Sequence, residues 1–96
     1  MRCFVVVFGG GTLLVASSFK SPTHPDLVRR MVSNDVHRMI LMEVPAELCQ
    51  ERYPDNYSMA LRTLGKDEFR VLDFNGSSVF SKFSFKEMKE PVMVEF

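Results

Sequence analysis

The sequence predicts a two-layer α+β domain, with helices packed on a mixed or mostly antiparallel sheet of about five to six strands. Three observations predict it. A valine-rich run, Cys3-Phe4-Val5-Val6-Val7-Phe8, turns back through Gly9-Gly10-Gly11 into a second apolar run. Asn75-Gly76 stands between two further apolar segments, and two stretches in between carry apolar residues at helical spacing. The expected order is β-β-α-β-α-β-β, with room for a last strand. With 96 residues, 46% of them apolar and nine of them phenylalanine, the chain can fill one hydrophobic core, so residues 1–96 are expected to form one domain.

Arg2 to Phe8 is apolar on both faces, which suits a strand covered on two sides. Leu13 to Phe19 reads as its hairpin partner, because short loops containing glycine commonly join antiparallel strands. The same stretch has two rival readings. In one, Gly9-Gly10-Gly11-Thr12 is a strand-to-helix turn whose backbone amides cradle an anion. In the other, Arg2, the apolar run and Ala16-Ser17-Ser18 form a secretory signal. Three consecutive glycines weaken a helical apolar region, and the run is much shorter than the roughly 20 residues of a membrane span. A strand is the preferred reading, and a cytoplasmic chain that does not enter a membrane is expected.

Lys20 to Pro25 reads as a loop, with Thr23 capping a helix and Asp26 closing the capping box. Leu27, Val28, Met31 and Val32 form the apolar stripe of that helix, which ends near Ser33-Asn34-Asp35. Val36 to Val44 reads as an interior strand. From Pro45 to Gly65, Ala46, Cys49, Tyr53, Tyr57, Leu61 and Leu64 keep one helical face, interrupted by Pro54, so a kinked helix or two short ones are expected. Phe69 to Phe74 and Val79-Phe80 read as a hairpin about Asn75-Gly76, with Phe69, Val71 and Phe80 on one face. Returning Phe83 and Phe85 to that face needs a bulge near Ser81-Lys82. Pro91 to Phe96 supplies a last strand suited to a sheet edge.

Twelve basic and twelve acidic residues cancel, which leaves no net field to draw in nucleic acid or an anionic membrane. Cys3 and Cys49 lack CxxC spacing and read as reduced, buried thiols. His24 and His37 have no second ligand at i+2 or i+4, so no metal and no cofactor are expected. A nucleophile-base couple of His24 with either cysteine would need assembly by the fold. Glu47, Glu51 and Asp55 read as a solvated helix edge.

The glycine turn meets neither nucleotide fingerprint, since no Lys-Ser/Thr follows and the pattern is not GxGxxG. Its candidate binding residues are Gly9, Gly10, Gly11, Thr12, Arg29 and Arg30, with Lys20 near in sequence. Met31, Met39, Met42 and Met59 are expected to fill core, and Met88 and Met93 to offer an adaptable surface beside Phe83, Phe85 and Phe96. The favoured function is therefore a noncatalytic binding or assembly module, homodimeric through its C-terminal strands. The alternative is a site for an anionic or nucleotide-like ligand at Gly9–Thr12, in a binding protein or small enzyme.

Overall fold

Strand β1 (Arg2–Phe8) lies at the centre of a five-stranded sheet in the computed structural model, which describes residues 1–32, 35–74 and 76–96. It pairs antiparallel with β2 (Gly11–Ser17) on one side and β3 (Arg38–Val44) on the other. Strands β4 (Phe69–Asp73) and β5 (Val92–Glu95) complete the order β4-β2-β1-β3-β5, with every neighbouring pair antiparallel. The valine-rich start becomes the central strand because it is apolar on both faces: Cys3, Phe4, Val5 and Val6 are all buried.

Strand alternation sorts the core into two clusters. Cys3, Val5, Leu14, Ala16, Met42 and Val44 project to a first face. That face carries the helical layer: α2 (Ala46–Arg52), α3 (Pro54–Thr63) and α4 (Gly76–Lys82), which contribute Cys49, Ala60 and Val79 to the cluster. Cys49 and Ala60 are small, and so are Cys3 and Ala16 in the same cluster, which lets helix and sheet backbones approach closely. The opposite face gathers Phe4, Val6, Leu13, Val15, Phe19, Met39 and Leu41 under a single short helix, α1 (Pro25–Met31), through Leu27 and Val28. The α+β class, the antiparallel sheet and the interior hairpin are as the sequence predicts.

Pro54 divides the second helical region in two. It occupies the first turn of α3, where a missing N–H costs no intrahelical bond, and Tyr53 between the helices is non-helical at φ −132°, ψ 58°. The break also moves the apolar stripe. Tyr57 is half-buried and Ala60 buried, whereas Leu61 and Met59, both expected inside, are exposed. Helix α1 is capped by His24 and not by Thr23: His24 Nδ1 accepts from the Asp26 N–H at 3.2 Å, while the Thr23 hydroxyl is engaged with Ser21. Its expected end at Ser33-Asn34 lies outside the described residues.

The main correction falls after β4. Val79-Phe80 is not a strand; it belongs to α4, from which Val79 and, just past the helix end, Phe83 meet the core on one face while Phe80 stays exposed. On a strand Phe83, three residues from Phe80, falls on the opposite face, whereas on a helix Phe83 follows Val79 by one turn and leaves Phe80 outside, so no bulge at Ser81-Lys82 is needed. Asn75 of the expected turn lies outside the described residues. The irregularity sits instead where β2 meets β4, between Leu14 and Val15. There Leu72 turns into the core and Val71, expected to share the inner face with Phe80, is exposed. The last strand is at a sheet edge as expected, and Pro91 stands just before it.

Candidate functional site

Gly9 and Gly10 make the β1–β2 turn, and Gly11 opens β2 at φ +150°, a region that side-chain-bearing residues rarely adopt. Thr12 is buried and paired with Val7. The cations nominated from sequence are placed elsewhere. Arg30 Nη1 reaches the Asp67 carbonyl at 3.4 Å, and the adjoining Glu68 carbonyl accepts from Ser18 N–H at 3.0 Å, just past the far end of β2. From Gly11 to Ser17 the strand spans about 20 Å. Lys20 lies at that far end too, its carbonyl accepting from Arg2. Arg29 is highly exposed and has Asp26 as its neighbour at 3.9 Å. The cation that does reach the turn is Arg38, which with Gly9, Val7, Phe8, Met39 and Ile40 lines a hollow of about 210 Å³. Only the pairing of Phe8 with Met39 brings it there, and sheet order is not readable from sequence.

His24 and the cysteines do not form a couple. The His24 ring stacks on Phe19 of the second-face cluster at 4.3 Å between centroids, whereas Cys3 and Cys49 belong to the first-face cluster, across the sheet. Among the described residues, no group of three or more His, Cys, Asp or Glu side chains is placed to hold a metal ion.

The two sheet edges differ. Along β4, the Asn56 amide donates to the Leu72 carbonyl at 2.6 Å and Arg70 folds back onto the Thr63 carbonyl at 3.2 Å. These side chains line a groove of about 490 Å³ between α3 and β4. Along β5, the Phe96 N–H donates inward to the His37 carbonyl at 2.9 Å, so alternation turns the N–H groups of Met93 and Glu95 outward. Val92 and Val94 pack on the second face, while Met93 and Phe96 are each 54% exposed. Exposed Phe80 and Phe85, with ring centroids 6.1 Å apart, add apolar surface on the C-terminal segment.

Two ion-pair clusters hold the chain that leads to this edge. Arg2 grips Glu43 through two bonds, Nη2–Oε2 at 2.7 Å and Nε–Oε1 at 3.0 Å, and Lys89 Nζ stands 3.5 Å from the same carboxylate. The Arg2 guanidinium holds the Glu43 carboxyl below its ordinary pKa against the opposing effect of burial. Arg52 grips Glu87 likewise, bonds the Lys82 carbonyl and lies over the Phe83 ring at 5.4 Å.

The described residues therefore define an antiparallel α+β protein with one sheet edge flanked by the Asn56 and Arg70 side chains and another that turns the Met93 and Glu95 N–H groups outward. No protein-family model, curated protein or solved structure matches the chain. No helix among the described residues is long and apolar enough to cross a membrane.

Proposed function

We propose that this protein is a noncatalytic assembly module that pairs with a second copy of itself through the outer edge of β5. The observation that carries the reading is the contrast between edges. Side chains of Asn56 and Arg70 occupy the surroundings of β4, whereas β5 turns outward N–H groups at Met93 and Glu95 beside the exposed side chains of Met93 and Phe96. An unpaired strand edge of this kind is satisfied by an identical one across a two-fold axis, which continues the sheet. Two free, buried thiols fit a reducing compartment such as the cytoplasm.

Light scattering on the purified chain at micromolar concentration tests it. A dimer is expected, converted to monomer by Met93→Lys, which places a charge at the edge. A strict monomer overturns the reading.

A second reading, an anionic ligand held at Gly9–Thr12, is favoured by the hollow that brings Arg38 beside Gly9. A panel of phosphate-bearing compounds should then raise the melting temperature, and Arg38→Ala should abolish the shift. An unmoved melting temperature at saturating concentrations removes it.

A further inference from the structure

The Glu68 carbonyl accepts from Ser18 N–H at 3.0 Å, so alternation points the N–H and carbonyl groups of Phe69 and Val71 away from β2, in the plane of the sheet. On the first face, α3 supplies Met59 and Ala60 to the far wall of the groove of about 490 Å³ beside them. That volume holds a short extended segment and not a second sheet. We propose that the groove between α3 and β4 binds an acidic, extended segment of a partner protein, which adds to β4 as a further strand. The edge used is not β5, so the inference stands independently of the self-pairing above.

Charge names the occupant. Arg70 is the one charged residue among the described residues that line the groove, and it is exposed. Its partner is a carbonyl, that of Thr63 at 3.2 Å from Nη2, whereas Arg2, Arg29 and Arg52 each face a carboxylate. A guanidinium carries several N–H donors in a planar fork, so Arg70 keeps donors for a carboxylate arriving from outside. Its place is fixed by pairing: Ala16, opposite Arg70, belongs to the first-face cluster, and Val15, opposite Val71, to the second. Arg70 and Leu72 therefore share the face on which α3 lies, and Val71 looks to the other.

Register then sets the sequence that fits. In an antiparallel addition, like every other pair in the sheet, the incoming residue opposite Arg70 carries its side chain on the first face, where a glutamate meets the guanidinium. The residue two places earlier in the partner lies toward Leu72 and enters beside Met59 and Ala60, which asks for an apolar side chain. Asn56 closes the ladder there, because its amide takes the Leu72 carbonyl at 2.6 Å. Between these two, the residue opposite Val71 projects to the second face beside a side chain that is 45% exposed, and a β-branched residue covers it. The recognised order is apolar, β-branched, acidic, with main-chain bonds supplying affinity and side chains selectivity.

The test uses the full-length protein and a fluorescent peptide, blocked at both ends, that carries leucine, valine and glutamate in that order between threonines. Fluorescence polarisation is expected to show saturable binding below about 1 mM, weakened about tenfold when lysine replaces the glutamate. N-methylation of the peptide valine, whose N–H faces β4, should abolish binding, and N-methylation of the glutamate, whose N–H faces away, should leave it. Arg70→Glu should prefer the lysine peptide, and Met93→Lys, altered at the other edge, should bind as the parent does. Absence of saturable binding, equal binding of the two peptides, indifference to N-methylation of the valine, or loss of binding in Met93→Lys overturns the proposal. So does a change of light-scattering mass caused by Arg70→Glu alone, which would make a second copy the occupant. If Arg70→Glu fails to fold, the comparison of the glutamate and lysine peptides on the unaltered protein decides.

Discussion

The Tyr53 hydroxyl donates to Asp73 Oδ2 at 2.7 Å, tying the break between α2 and α3 to the end of β4. The same ring stacks on Phe83, with centroids 5.8 Å apart, so one side chain joins three elements of the helical layer to the sheet. Burial raises the Tyr53 pKa and the Asp73 carboxylate raises it further. The native state thus holds this proton more tightly than the unfolded chain does. Its stabilisation is complete below the ordinary tyrosine value of about 10 and is lost as pH rises beyond it. Tyr53→Phe is expected to cost about 1 kcal/mol at neutral pH and to flatten the alkaline limb of stability, as measured by urea unfolding at stepped pH.

Glu43 gives the opposite dependence. Arg2 holds its folded-state pKa below the ordinary value, so its contribution is present above the ordinary carboxylate range and is lost as pH falls through the lowered value. The pair is partly exposed, with side-chain exposures of 32% and 18%, and its worth is correspondingly modest. Glu43→Gln should destabilise by about 1 kcal/mol at neutral pH, with the difference from the parent vanishing in acid. Equal urea midpoints at neutral pH would show that the pair contributes nothing.

Phe83 and Phe80 separate the observed helix from the hairpin that the sequence favours. In α4 the chain buries Val79 and then Phe83, just past the helix end, and leaves Phe80 at 42% exposure, whereas the hairpin would bury Phe80 with Val71. Phe83→Ala is expected to cost about 3 to 5 kcal/mol and Phe80→Ala much less, read from denaturant midpoints. The reverse ranking would restore the hairpin.

That segment also shows where sequence stops specifying structure. The first hairpin was legible because Arg2–Phe8 and Leu13–Ala16 are apolar on both faces, and a central strand is the element that buries both. The split at Pro54 was legible because the proline constraint is local. Asn75-Gly76 is a local signal as well, but tertiary packing decides against it: a helix from Gly76 to Lys82 brings Val79 and, just past its end, Phe83 onto the first-face cluster and leaves Phe80 outside. The candidate site was less legible. Arg29 and Arg30 are close to the glycine turn in sequence, whereas Arg38 reaches it through the β1–β3 pairing, a property of sheet order that no local pattern encodes.

The glycine turn itself divides by position. At Gly9 an added Cβ meets nothing within 4 Å, so Gly9→Ala should leave stability nearly unchanged. At Gly11 the space is open too, but φ is +150°, and a side chain there is strained whatever its surroundings, at a cost of about 1 to 3 kcal/mol. Gly10 falls between them: a Cβ would stand 3.0 Å from the Phe8 ring, which must shift to admit it. The expected order of melting temperatures is therefore Gly9→Ala above Gly10→Ala above Gly11→Ala. Because the strain argument concerns the backbone alone, the order should hold with or without phosphate-bearing compounds. A Gly9→Ala protein that melts normally yet loses a ligand-induced shift would instead mark Gly9 as a contact of the anion-binding reading.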